Sequence, residues 1–191
     1  MCLYLANTGQ DTLEFIHGFE NYSINFGFRP WEGIFPTSFE TDDSRLIAYG
    51  LEASRLPNFY RPLVEYTHLD PKLAPNANTG SALYTGTSIP GLKGQLVFTD
   101  WISFAPTPAH GLLMHASVNR DNLQEAQQVK LFNVDLSGAK LQGADVLFYT
   151  SINTDPAGGR IFVGGFKNLQ FIVSQRDNPI GAGGVYEVIS P

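Results

Sequence analysis

Three apolar runs, at residues 80–84, 94–101 and 111–118, follow one another with only turn-forming segments between them. Pro90 and Gly91 stand in the first gap, Pro106 and Pro108 in the second. Short runs of aliphatic and aromatic residues bounded by Gly and Pro read as strands joined by tight connections, and this rhythm is that of a four-stranded antiparallel meander. A second group follows at residues 129–134, 146–152, 160–164 and 169–173, with an evident turn at Asp155-Pro156-Ala157-Gly158-Gly159, and residues 184–189 form a last strand. At the start, residues 2–6 and 13–16 make a hairpin around Asn7-Thr8-Gly9-Gln10-Asp11, and a further strand is expected at 63–66.

Between these strands, the stretch near residues 18–60 lacks regular periodicity and reads as a long loop insertion with room for one short strand. The composition agrees with an all-β chain: 14 Phe and 8 Tyr supply strand-forming bulk, while 19 Gly and 12 Pro supply turns. One domain over residues 1–191 is expected, built as a partial β-propeller of about three to four antiparallel blades. On pattern alone a sandwich or a jelly roll stays open. The segment 139–145 has the look of a single pentapeptide-type repeat, and one copy makes no solenoid.

The charge balance excludes one class of partner. A net charge of −6 with 12 scattered Lys and Arg gives no phosphate-tracking surface, so nucleic acid is not expected. No run is apolar enough for a membrane span, and Met1 to Gln10 lacks the basic and apolar regions of a signal peptide, so the compartment stays open. Cys2 stands alone, which rules out an internal disulfide. Of the four histidines only His110 and His115 are close in sequence, and that spacing sends them to opposite faces of a strand. Asp42, Asp43 and Asp70 are loop carboxylates without the Asp-x-Asp-x-Asp-Gly arrangement that concentrates calcium ligands.

Five segments in order carry a resemblance. Leu3 to Asp11 followed by Leu13-Glu14-Phe15-Ile16, Asn25-Phe26-Gly27-Phe28 leading to Glu32-Gly33, Pro62 to His68, Asn78 to Trp101, and Gly184-Val185-Tyr186-Glu187-Val188 resemble successive stretches of the glucose/sorbosone dehydrogenase family. The resemblance covers residues 1–101 and the end of the chain, not 102–183. It implies the C-terminal part of a propeller that has six blades in that family.

The family's enzymes use pyrroloquinoline quinone (PQQ) and calcium to oxidise sugars. Carried over, Gly9 and Gln10 fall where backbone carbonyls face the calcium; the other reading of the same residues is a plain hairpin turn. The Lys and paired Arg that would grip the quinone's carboxylates are missing, since Asp100-Trp101-Ile102-Ser103-Phe104 stands in the place of the Lys. No catalytic residue is therefore assigned and no cofactor is expected, with PQQ and calcium as the pair to test if the family activity is retained.

An opened propeller exposes strand edges that a protein partner or a homo-oligomer would cover. Trp31, Phe35, Phe39, Phe59 and Tyr60 put a heavy aromatic load on the loop segment and form the candidate partner-binding set; the alternative is a loop folded over the blade faces. Three functions are thereby in view: a non-catalytic interaction or scaffold module, a fragment or subunit of a quinoprotein sugar or aldehyde dehydrogenase, and a carbohydrate-binding module using Trp31 and Trp101.

Overall fold

The computed structural model describes residues 2–9, 12–20, 23–27, 31–36, 60–105, 109–137, 146–167 and 183–190. They form three antiparallel sheets of three or four strands and one short ribbon, an all-β fold that takes the form of a partial propeller. The first sheet is β1 (Leu3–Asn7), β2 (Leu13–Phe19) and β5 (Val64–Thr67), side by side in that order. The ribbon pairs β3 (Trp31–Glu32) with β4 (Phe35–Pro36). The middle sheet is β6 (Asn78–Leu83), β7 (Leu96–Ser103), β8 (His110–Ala116) and β9 (Lys130–Leu131), and the last is β10 (Leu147–Thr154), β11 (Ile161–Lys167) and β12 (Gly183–Val188).

The sheets stack in chain order, with the first strand of each against the first strand of the next: β1 packs on β6, and β6 on β10. The strand pleat explains how one middle sheet serves two cores. Leu96 and Phe98 on β7, with Leu112, Met114 and Ala116 on β8, point to the first sheet and meet Ile16, Val64 and Tyr66. The intervening Val97 and Leu113 point the other way and meet Leu147, Tyr149, Ile152, Ile161 and Val163. A strand buried on both faces has no polar alternation, so residues 96–98 are apolar without interruption.

Two expectations shift. The four-stranded meander is present, but its fourth strand is Lys130–Leu131, taken from the run grouped by sequence with the last sheet. The amide of Phe132 donates to the carbonyl of Leu113 and its ring meets that of His115, which holds this segment on β8. The last sheet thus has three strands among the described residues. The runs at 139–145 and 169–173, and Asp42 and Asp43, lie outside them.

Of the loop insertion, the described parts fold back on the first sheet. Phe15 and His17 share the β2 face turned away from the middle sheet, and rings pack outward from it in tilted and edge-on contacts: His17 with Phe26 at 4.3 Å, Phe19 with Phe26 at 5.3 Å, Phe26 with Tyr60 at 6.5 Å between centroids. Against the last sheet, the turn after β10 is clamped by Asp155, whose Oδ1 accepts from the amides of Gly159 and Arg160 at 2.7 and 3.0 Å.

Candidate functional site

The β1–β2 connection is the place the resemblance singles out. Thr8 Oγ1 donates to the carbonyl of Asn78 at 2.9 Å, which ties the connection to β6. Across from it, the ribbon delivers Glu32, whose carboxylate accepts from the amides of Thr12 at 3.1 and 3.2 Å and of Leu13 at 2.9 Å. Gly9 is wedged between: a β-carbon there would collide with the Leu13 carbonyl and with Glu32 Oε1. Gln10 lies outside the described residues. The polarity here is the reverse of a cation site, because N–H groups rather than carbonyls converge on the carboxylate. The Leu13 carbonyl and Glu32 fill the space beside Gly9, so among the described residues of this turn none is placed to hold PQQ or calcium. Glu32→Ala, which leaves two amides without their acceptor, is expected to lower the unfolding free energy by about 1–3 kcal/mol, read from denaturant titration.

Directly below this turn lies a polar cluster inside the joint between the first and middle sheets. Glu14, on β2, points toward the middle sheet and is fully buried. Its Oε1 is 2.8 Å from His68 Nε2, and its Oε2 accepts from the Asn78 amide at 2.7 Å. Burial pushes the Glu14 carboxyl up to about 7, against the opposing pull of the amides and His68. Asp100, on β7, is buried beside it. Its Oδ1 accepts from the amides of Asn76 at 3.0 Å, Ala77 at 3.2 Å and Ile102 at 3.2 Å, and its Oδ2 accepts from Tyr66 Oη at 3.3 Å. Burial raises the Asp100 carboxyl too, with the same hydrogen bonds resisting. Tyr66 is held well above the usual phenol range by burial first and by the two nearby carboxylates.

Of the remaining candidates, some lie among the described residues. Trp31 is buried, 9% exposed, and Tyr60 is half-buried with its carbonyl 3.1 Å from His17 Nε2. Phe35 stands on β4, while Phe39 and Phe59 lie outside the described residues. His17 is buried and held neutral, its pKa lowered by burial to about 4. His115 Nδ1 is 2.5 Å from Gln95 Oε1. Asp70 accepts from the amides of Lys72 and Leu73 at 2.7 and 3.1 Å, capping a turn. Among the described residues, no group of three or more His, Cys, Asp or Glu is placed to hold a metal ion, and no helix is long and apolar enough to cross a membrane.

Sequence reasoning passed over Glu14, His68, Tyr66, Asp100 and Glu32 as site residues. A signal existed for two of them. Glu14 interrupts the apolar run at 13–16 and Asp100 the run at 96–102, and a carboxylate within a strand buried on both faces must find donors. Compared with protein-family models, with curated proteins and with solved structures, the chain gives no significant match.

Proposed function

We propose that this chain is a non-catalytic interaction module: a rigid stack of propeller-type blades, related to the glucose/sorbosone dehydrogenases, that works with a protein partner or as an oligomer. The observation that carries this reading is how its buried acids are used. Glu14 accepts from the Asn78 amide of the next sheet, and Asp100, held by the amides of Asn76, Ala77 and Ile102, takes the Tyr66 hydroxyl of the first sheet, so these buried acids act as braces between blades. Perturbed acidity marks reactive sites when the group faces a cleft, and marks structural networks when its lone pairs are taken by the chain's own amides. A platform of this kind needs no cofactor, and it offers a partner fixed surfaces at the two ends of the stack.

The test is the mass of the native assembly together with the identity of each chain in it. A defined complex or homo-oligomer supports the module. A companion chain that brings further blades, a His base and cationic quinone ligands replaces it with a divided sugar dehydrogenase, which an assay with PQQ and calcium then identifies. A stable, solitary monomer overturns the reading.

A further inference from the structure

We infer that β12 is a strand-pairing edge and that its occupant is the β12 of a second copy of this chain, paired antiparallel about a two-fold axis. This deepens the interaction reading above and rests on it. Proteins guard the edges of their sheets with short strands, charged side chains, Pro or a covering segment, because an unguarded edge pairs with any strand that fits.

The sheets of this chain differ in this respect. The first strands β1, β6 and β10 lie against one another. At the outer edge of the first sheet, β5 follows Pro62 and carries Glu65, which is engaged by the ribbon through the Ile34 amide at 3.0 Å. At the outer edge of the middle sheet, β9 is two residues long and carries Lys130. Among the described residues no strand covers the outer edge of β12, and its one charged side chain is already paired with Arg160. The strand runs for six residues, Gly183–Val188, contains neither Pro nor Lys, and pairs only with β11 among the described residues.

Its side chains suit a second copy. Val185 is 75% exposed and Ile189, just past the strand, 74%. The one charged residue of the strand, Glu187, is gripped by Arg160 through two bonds, Nε to Oε1 at 2.7 Å and Nη2 to Oε2 at 2.6 Å. Two copies brought together at this edge therefore do not oppose bare carboxylates, although the whole chain is acidic. An antiparallel strand is its own complement under a two-fold rotation, so one edge satisfies both partners and the assembly closes as a dimer. The middle sheet offers the same position filled, with β9 antiparallel on β8.

The experiment is sedimentation equilibrium of the full chain over a wide concentration range, with two variants. Val185→Lys places a guarding charge on the edge at an exposed position; Leu131→Lys, exposed on β9, is the control. The expected result is a wild-type dimer, a dissociation constant weakened at least about tenfold by Val185→Lys and unchanged by Leu131→Lys, with unfolding midpoints of the dilute proteins alike. Amide exchange across residues 183–188 is expected to slow as the wild-type protein is concentrated. A wild-type monomer at all concentrations overturns the inference. So does a dimer indifferent to Val185→Lys without concentration-dependent protection of β12, and in that case the association uses another surface and the module reading stands.

Discussion

Asp100→Ala is expected to be the most damaging single polar substitution in the chain, lowering the unfolding free energy by about 3–5 kcal/mol in denaturant titration. The carboxylate is fully buried, and four donors depend on it: the amides of Asn76, Ala77 and Ile102 on one oxygen and the Tyr66 hydroxyl on the other. Alanine leaves these donors without an acceptor, those of Ile102 and Tyr66 in buried surroundings, and each orphaned buried donor costs about 1–3 kcal/mol before the surroundings relax. Asp100→Asn separates the acceptor from the charge. The Asn oxygen can keep the three amides while its NH2 donates to the Tyr66 oxygen, so the loss is expected to be well under half that of alanine. If Asn proves as damaging as Ala, the charge rather than the acceptor geometry holds this joint, and the account of Asp100 as an amide clamp is wrong.

The joint also explains what was legible in the sequence and what was not. Strand positions follow from local chemistry, since β7 and β8 are long apolar runs bounded by Gly and Pro, and their placement is close to that expected. Partner choice among strands is not local. Residues 129–134 read as the start of a new blade, yet Lys130–Leu131 completes the preceding one through contacts with Leu113, Met114 and His115. Periodicity carries no information on which of two neighbouring edges a short strand joins.

The site was less visible for the same reason. Glu14 and His68 are far apart in sequence and meet only because β2 and β5 are paired neighbours, with Leu13 opposite Thr67, next to His68. Glu32 reaches the Gly9 turn only because the ribbon folds back over the first sheet. The sequence admits two readings of the Gly9–Gln10 turn, a plain hairpin turn and, through the family resemblance, carbonyls facing a calcium ion. The fold packs the Glu32 carboxylate against Gly9, from a segment whose path the sequence left undefined.

The two buried ionisable groups on β2 should give this protein opposing pH dependences that single variants separate. His17 faces outward from the sheet, among Phe15 and Phe26, with Nε2 3.1 Å from the Tyr60 carbonyl and Nδ1 3.4 Å from Asn7 Nδ2. Its pKa is lowered from 6.5 to about 4 by burial. Between those values the unfolded chain takes a proton that the folded chain refuses. The stability His17 supplies is therefore complete above pH 6.5 and lost as pH falls toward 4. Glu14 faces inward, toward His68, Asp100 and Tyr66, and its pKa is raised from 4.5 to about 7 by burial. Here the folded chain keeps a proton that the unfolded chain releases, so stability declines as pH rises from 4.5 through 7.

Each shift of about two and a half pH units corresponds to about 3 kcal/mol at full development, and the two slopes oppose each other between pH 4.5 and 6.5. Asp100 and Glu65, both raised by burial, add to the decline with rising pH. Glu14→Gln preserves the acceptor for the Asn78 amide and a hydrogen bond to His68 while removing the ionisation. Relative to wild type it is expected to gain up to about 3 kcal/mol between pH 4.5 and 7 and to hold that gain at higher pH. His17→Phe removes the opposite slope, so its stability relative to wild type should improve by a similar amount as pH falls from 6.5 to 4. The readout is the difference in unfolding free energy between variant and wild type across pH 4 to 8, which cancels constant packing losses. Difference profiles that are flat for both variants would mean that neither group carries its proton in the way its burial requires.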